Sequence, residues 1–398
     1  MNRREFTLAA AGMLASPFIS RASAQSGVTS TEILIGNTSP QSGPGSAAGI
    51  VAKAANAYFD MINERGGVNG RKIRFIMLDD GYNPAKTVEL TRQLVEHEQV
   101  LATVCTIGTA PNSAIQRYMN ARKVPQLFVA SGASKFGDHV NYPWTMGWQP
   151  TGVSAAKAFV QHILETKPGA KIGILYQNDD FGKDYVKGAR EALGENADKM
   201  IVSQVSYEVT DPTIDSQMVT LMSSGADTFI NVSIPKFALQ SIKKAGELSW
   251  RPTQYITEAG ASVGQVMRPA GPADTTGIIT AAFAKDPTEL QWQTGSEWDD
   301  YVAWQKKYYP EADLKDAYPM NGYSMAQTFM QVLKQAGNDL TRENIMNQAA
   351  NLDFVLPMLL PGIRIKTASD DYYPIENVQL LKFNGQSYER FGHLYGRG

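Results

Sequence analysis

Short apolar segments alternate with amphipathic segments along most of this chain. The apolar segments lack the polar–apolar alternation of a one-sided strand, which is typical of strands buried on both faces of a parallel sheet. The segments between them carry apolar residues at intervals of three and four, as helices with one buried face do. This alternation predicts a doubly wound α/β fold. In the first half of the chain, the predicted strands are 32–38, 71–78, 101–105 and 127–130.

The same pattern starts again after residue 150, which predicts a second lobe. A length of 398 residues also favours two domains over one core. We therefore expect a second parallel sheet, with strands at 171–176, 201–207, 227–232 and 254–257. Farther along, the pattern predicts a strand at 276–284, helices at 297–308, 323–335 and 343–350, and strands at 362–365 and 378–383.

Residues 101–136 are predicted to form a strand, a loop, a helix, a strand and a second loop. Asn112 is predicted to cap the helix. A connection of this length makes the two strands parallel, so both loops emerge at one carboxyl edge of the sheet, where ligands bind in open α/β sheets. Taken alone, such loops are also compatible with ordinary turns. Hydroxyl groups in these loops could donate hydrogen bonds to a bound carboxylate. They belong to Thr106, Thr109, Ser131 and Ser134.

Composition excludes several function classes. The formal net charge is −2 and no basic block occurs, which argues against nucleic acid as a partner. Cys105 is the single cysteine, so no internal disulfide is expected. The four histidines lack the spacing of metal ligands, so neither a metal nor a cofactor is predicted. The sequence also lacks a nucleophile elbow and a phosphate loop, which disfavours an enzyme.

The amino terminus predicts export. Its first residues are basic, a short apolar segment follows, and Ala22-Ser23-Ala24 forms a small-x-small cleavage site. Residues 1–24 are therefore interpreted as a signal peptide of a periplasmic protein. A pair of arginines near the start leaves both the Sec route and the twin-arginine route open.

A glycine-rich loop opens an alternative function. Gly43, Gly45 and Gly49 lie between a strand and a helix, as in a dinucleotide-binding turn. An exported nucleotide-dependent oxidoreductase that uses the Gly43 loop is therefore the alternative to a binding protein. However, Gly43 lies several residues beyond the strand, whereas the fingerprint places its first glycine at the turn that leaves the strand. Asp79, the next acidic residue that could contact a ribose, also lies farther along the chain than that fingerprint requires. The spacing favours a ligand loop or a plain turn.

Several short motifs occur in a fixed order along the chain, namely Ser42-Gly43-Pro44, Gly66-Gly67, Asp79-Asp80 and Asp179-Asp180-Phe181-Gly182. In the order of these motifs, the chain resembles the leucine/isoleucine/valine-binding protein family, the type I periplasmic solute receptors of ABC importers. The resemblance implies two doubly wound parallel-sheet lobes, joined by three crossovers, that close on a ligand. The implied N-terminal lobe comprises 26–149 and 282–356, and the C-terminal lobe comprises 150–281 and 357–398.

The same resemblance implies the ligand-binding residues. Two loops of the first lobe would hold a carboxylate, and an aromatic residue would come from the second lobe. These residues are Thr106, Gly108, Thr109, Ser131, Gly132, Ala133, Phe181, Ile234, Glu258 and Ala259.

Two positions differ from the family pattern. The acidic residue that pairs with an amino acid's ammonium aligns with Ala259, one position after Glu258. The aromatic residue of the first loop aligns near Ala48, which would enlarge the pocket. We expect Glu258 to face away from the pocket or toward the hinge, which predicts a ligand that is recognised without its amino group.

These observations predict a periplasmic receptor that captures a small hydrophobic carboxylate in the cleft between its lobes. The ligand is predicted to be a branched-chain amino acid or an aromatic or aliphatic acid, which the receptor delivers to the membrane permease of an ABC importer. We further expect a monomer without catalytic residues.

Overall fold

The computed structural model describes residues 26–396, so the predicted signal peptide at 1–24 lies outside the described residues. The strands alternate with helices through most of this range. They are β1 (Glu32–Ser39), β2 (Lys72–Asp79), β3 (Thr103–Val104), β4 (Gln126–Val129), β5 (Thr145–Gly147), β6 (Ile172–Gln177), β7 (Ile201–Tyr207), β8 (Thr228–Val232), β9 (Thr253–Ile256), β10 (Ile279–Ala282), β11 (Asp353–Phe354), β12 (Ile365–Lys366), β13 (Val378–Phe383) and β14 (Tyr388–Tyr395).

Two sheets form the centres of two lobes, which confirms the predicted α/β class. The first sheet has the order β2-β1-β3-β4-β5 and is parallel throughout. The second has the order β14-β13-β10-β9-β8-β6-β7. The predicted strands of this sheet, β6 to β9, pair in parallel, as does β10, and β13 and β14 add an antiparallel edge. The two strands form a hairpin because only residues 384–387 connect them.

The helices cover the faces of both sheets. They are α1 (Ile50–Glu64), α2 (Pro84–Arg92), α3 (Thr109–Ala121), α4 (Gly152–Thr166), α5 (Asp180–Leu193), α6 (Ala197–Met200), α7 (Asp215–Ser223), α8 (Pro235–Glu247), α9 (Arg268–Ala270), α10 (Pro272–Thr275), α11 (Ser296–Tyr308), α12 (Ala317–Ala336) and α13 (Arg342–Ala349). Among the described helices, none is both long enough and apolar enough to cross a membrane.

Two helices begin earlier than predicted, and both beginnings shape the cleft. Helix α3 begins at Thr109, directly after Gly108, whose φ of 95° allows the sharp turn. Asn112 therefore lies inside the helix and is not its cap. Helix α12 begins at Ala317, where the Asp316 side chain accepts a hydrogen bond from the Tyr318 backbone N–H.

The chain passes between the lobes at three crossovers. The first crossover lies between β5, which ends at Gly147, and α4, which begins at Gly152. The second and third lie side by side, because Ala284 pairs with Leu359 in an antiparallel bridge. The predicted residue limits of the lobes remain a prediction.

Helices α1 and α12 pack closely on the first sheet. A Cβ atom at Gly322 would lie 2.2 Å from the Val51 carbonyl oxygen, so only glycine permits this approach. The ring of Phe59 on α1 meets that of Phe329 on α12 edge to face. The close approach of Gly322 to Val51 places the first turns of α12 beside the carboxyl edge of the first sheet.

Candidate functional site

A cleft of about 80 Å³ lies between the lobes. The loops that follow β1 to β4 line one side, the loops of the second sheet line the other, and α12 closes the end. The lining residues are Gly45, Ala48, Val51, Tyr82, Ile107, Gly108, Thr109, Ala130, Ser131, Gly132, Gln149, Phe181, Ile234, Pro235, Glu258, Ala259, Tyr318, Asn321 and Met325.

The structure brings most of the predicted site residues together in this cleft. Eight of the ten contribute to its lining, four from each lobe. They are Gly108, Thr109, Ser131 and Gly132 from the first lobe, and Phe181, Ile234, Glu258 and Ala259 from the second.

Thr106 and Ala133 do not line the cleft, so their predicted contacts with a ligand are corrected. The Thr106 side chain is fully buried, and its hydroxyl donates to Asn112 Oδ1 at 2.6 Å. Ala133 is buried beside Phe136, beneath the loop. Both side chains are therefore turned toward the interior of the first lobe.

Two hydroxyl groups form the polar centre of the first-lobe wall. Thr109 Oγ1 and Ser131 Oγ lie 2.6 Å apart, and the Ala133 backbone N–H donates to Ser131 Oγ at 3.1 Å. The two hydroxyls carry two protons, and their mutual bond uses one of them. One O–H therefore remains to donate to an acceptor in the cleft. Thr109 is also the first residue of α3, where the helix dipole favours an anion.

Glu258 lines the cleft and does not face away from it, and it also faces the hinge, which was the other expected direction. It follows β9 in a short 3-10 turn, and Asn321 Nδ2 on α12 donates to its Oε1 at 3.0 Å. It also borders a second cavity of about 40 Å³ toward the hinge, where Asp286 lies. Burial raises the pKa of Glu258, which the hydrogen bond from Asn321 partly opposes.

The second-lobe wall is apolar apart from Glu258. Phe181 lies in the first turn of α5, and its ring packs edge to face on Tyr185. Ile234 and Pro235 lie at the start of α8, just after the end of β8. Across the cleft, Val51 and Met325 add apolar surface from α1 and α12. These side chains can pack against the apolar part of a ligand.

Several lining residues were not predicted from the sequence. Tyr318, Asn321 and Met325 lie on one face of α12, but the predicted helix began too late to include the first two. Tyr82 comes directly after the Asp79-Asp80-Gly81 turn, at the same sheet edge as the carboxylate loops. That position was a usable signal, because loops at one edge of a parallel sheet converge.

Contacts at the rim join the two lobes across the cleft. Lys135 Nζ lies 2.9 Å from Asp180 Oδ2, in a half-exposed ion pair. Beside it, the Ser134 backbone N–H donates to Asp184 Oδ2 at 2.5 Å. The lobes are therefore in contact in this structure, as expected of a closed clamshell.

The Gly43 loop has a packing role in this structure. A Cβ atom at Gly43 would lie 2.7 Å from the Gly81 carbonyl oxygen, and one at Gly49 would lie 2.4 Å from the Pro40 carbonyl oxygen. These glycines let neighbouring loops pack closely, and a 3-10 turn (Ser46–Gly49) precedes α1. Within the described residues, no group of three histidine, cysteine or acidic side chains is arranged to hold a metal ion.

Comparison with known proteins identifies the family. The model of the periplasmic binding protein family matches residues 32–387. The chain is 24% identical over 318 residues to the Leu/Ile/Val-binding protein homolog 7 of Brucella abortus (strain 2308), covering 77% of this chain and 78% of that protein. The chain therefore belongs to the periplasmic binding protein family and is a type I member of its leucine/isoleucine/valine-binding group.

Solved structures share the fold. A branched-chain amino acid ABC transporter protein from Thermus thermophilus, with bound valine, superimposes with a TM-score of 0.81 at 17% identity, over 92% of this chain and 97% of that chain. A fatty acid ABC transporter substrate-binding protein from Thermomonospora curvata gives 0.79 at 22% identity, over 94% of each chain. Members of this family are binding proteins that work with ABC transporter permeases, and the match gives no support to the oxidoreductase alternative.

Proposed function

We propose that this protein captures a small amino acid with an apolar side chain in the cleft, for uptake by an ABC importer. Among the described residues that line the cleft, none is lysine, arginine or histidine, and one, Glu258, is acidic. A ligand with only a negative charge would meet no positive side chain there. A zwitterion brings its own ammonium to Glu258, so its charges match this lining better.

The carboxylate of the ligand is placed at the first-lobe wall. The free proton of the Thr109–Ser131 hydroxyl pair and the amino end of α3 favour an anion there. Hydrogen bonds to a charged group contribute about 1.5–3 kcal/mol each, which is sufficient to orient a small ligand.

The ammonium is placed at Glu258. Asn321 donates to Oε1, which leaves the other carboxylate oxygen available for the ligand. The apolar side chain is placed between Phe181 and Ile234, where the wall carries no charge.

A second candidate ligand is the corresponding acid without an amino group. The observation that favours it is the raised pKa of Glu258, because a protonated carboxyl needs no ammonium partner. The valine-bound and fatty-acid-named structural neighbours are compatible with either ligand. Location in the periplasm, export through residues 1–24 and function as a monomer belong to the same proposal.

Thermal shift of the mature protein tests this proposal. The screen compares leucine and phenylalanine with 4-methylpentanoate and 3-phenylpropanoate, on the wild type and on Glu258→Gln. A ligand at about 100 times its dissociation constant adds roughly 2.7 kcal/mol to the stability. We expect the amino acids to stabilise the wild type and to lose this effect in Glu258→Gln. Stabilisation by none of the four compounds would contradict the proposal, and an effect of the acids that the mutation leaves unchanged would select the second candidate.

A further inference from the structure

Tyr82 has an unusual backbone conformation in a buried position. Its φ is 61°, in the left-handed region that residues other than glycine rarely adopt, and its side chain is 9% exposed. Such a conformation is strained and persists where the surroundings enforce it. The proposed contacts with a ligand carboxylate and ammonium do not require this residue.

The ring of Tyr82 lies between two glycines of the cleft wall. A Cβ atom at Gly45 would lie 2.5 Å from Cδ2 of the ring, and one at Gly108 would lie 2.5 Å from Cε2. Any other residue at either position would therefore displace the ring. All three residues line the cleft, so the two loops leave a slot that the ring fills.

The hydroxyl of Tyr82 reaches the second lobe. Gln177 Nε2 of that lobe lies 3.5 Å from the hydroxyl and 2.6 Å from Asp179 Oδ2. The ring thus lies between two glycines of the first lobe, and the second lobe approaches its tip.

We propose that Tyr82 determines the size selectivity of the cleft, by setting how large an apolar body fits beside the bound carboxylate. This inference rests on the proposed function. A ring held between two backbones cannot turn aside for a larger ligand without a backbone shift. If the ring is removed, the space stays open, because glycines have no side chains that could fill it.

Calorimetric titration of purified variants tests this role. Tyr82→Ala and Tyr82→Gly remove the ring, and the glycine variant also accepts the positive φ without strain. Tyr82→Phe keeps the ring without its hydroxyl. Tyr142→Ala removes a tyrosine that lies outside the cleft lining and serves as the matched control. The probes are leucine and phenylalanine, with 4-methylpentanoate and 3-phenylpropanoate measured in parallel.

We expect the affinity ratio of the larger to the smaller probe to rise at least about tenfold in Tyr82→Ala and Tyr82→Gly. The ratio should stay within about twofold of the wild type in Tyr82→Phe and Tyr142→Ala. An unchanged ratio in both ring-deleted variants, with binding retained, would overturn the role of Tyr82 and leave the proposed function intact. If the wild type binds none of the probes, the proposed function fails and this inference fails with it.

Discussion

The corresponding strand ends of the two sheets present different chemistry to the cleft. The loops after β3 and β4 contribute Gly108, Thr109, Ser131 and Gly132, whereas those after β6 and β8 contribute Phe181, Ile234 and Pro235. The first wall offers O–H donors and a helix amino end, and the second offers apolar surface. One wall can therefore orient a charged group while the other excludes water from it, which strengthens the hydrogen bonds of the first.

Thr109→Val tests the polar wall and has the largest expected effect. Valine keeps the shape of threonine but removes the hydroxyl shared with Ser131. Losing one charge-assisted hydrogen bond costs about 1.5–3 kcal/mol, so leucine affinity should fall by about one to two decades. Calorimetric titration measures this change. Unchanged affinity would remove the hydroxyl pair from the site.

Phe181→Ala tests the apolar wall. Truncation removes part of the surface that covers the ligand, and we expect roughly a tenfold loss of affinity for leucine. Phe181→Leu is the graded control, because it keeps much of that surface and should lose less. Melting curves establish that both variants fold. Equal losses in the two variants would contradict a simple burial role.

The pH dependence of binding tests the proposed role of Glu258, the acidic residue in the otherwise apolar second-lobe wall. Burial raises its pKa above the ordinary 4.5, so the empty site takes up a proton at a higher pH than an exposed glutamate does. A ligand ammonium requires the ionised form. Leucine affinity should therefore fall as the pH is lowered toward this raised pKa, while Glu258→Gln should show a flatter profile. An affinity that rises toward acidic pH would favour the acid without an amino group.

Thr106→Val has the smallest expected effect on binding and serves as the control for Thr109→Val. The Thr106 hydroxyl donates to Asn112 Oδ1, which also accepts from Gln126 Nε2 at 2.9 Å. Because Asn112 stays satisfied, the stability should fall by about 1 kcal/mol. Leucine affinity should stay within about twofold of the wild type. A loss of leucine affinity as large as that of Thr109→Val would show that Thr106 contributes to the ligand site.

The fold and the position of the cleft were predictable because they follow from local pattern. The βαβ unit at 101–136 places its loops at one sheet edge whatever the rest of the chain does, and Thr109 and Ser131 meet there. Strand β14 was missed because its sequence is polar and aromatic and it lies at the edge of the sheet, largely exposed.

Side-chain direction was not predictable in the same way. Thr106 and Thr109 are three residues apart, but Thr106 turns inward because Asn112, in the first turn of α3, accepts its hydroxyl proton. The direction of Glu258 depends on Asn321, more than 60 residues away on α12. Contacts between residues that are distant along the chain leave no trace in local periodicity.

The first-lobe wall is proposed to recognise the carboxylate of the ligand. Titration of the mature protein with leucine and leucinamide tests it most directly, because the two compounds share the ammonium and the side chain. We predict that leucine binds at least about tenfold more tightly than leucinamide, since the amide carries no negative charge to accept the hydrogen bonds of Thr109 and Ser131. Equal affinity for the two compounds would contradict the account.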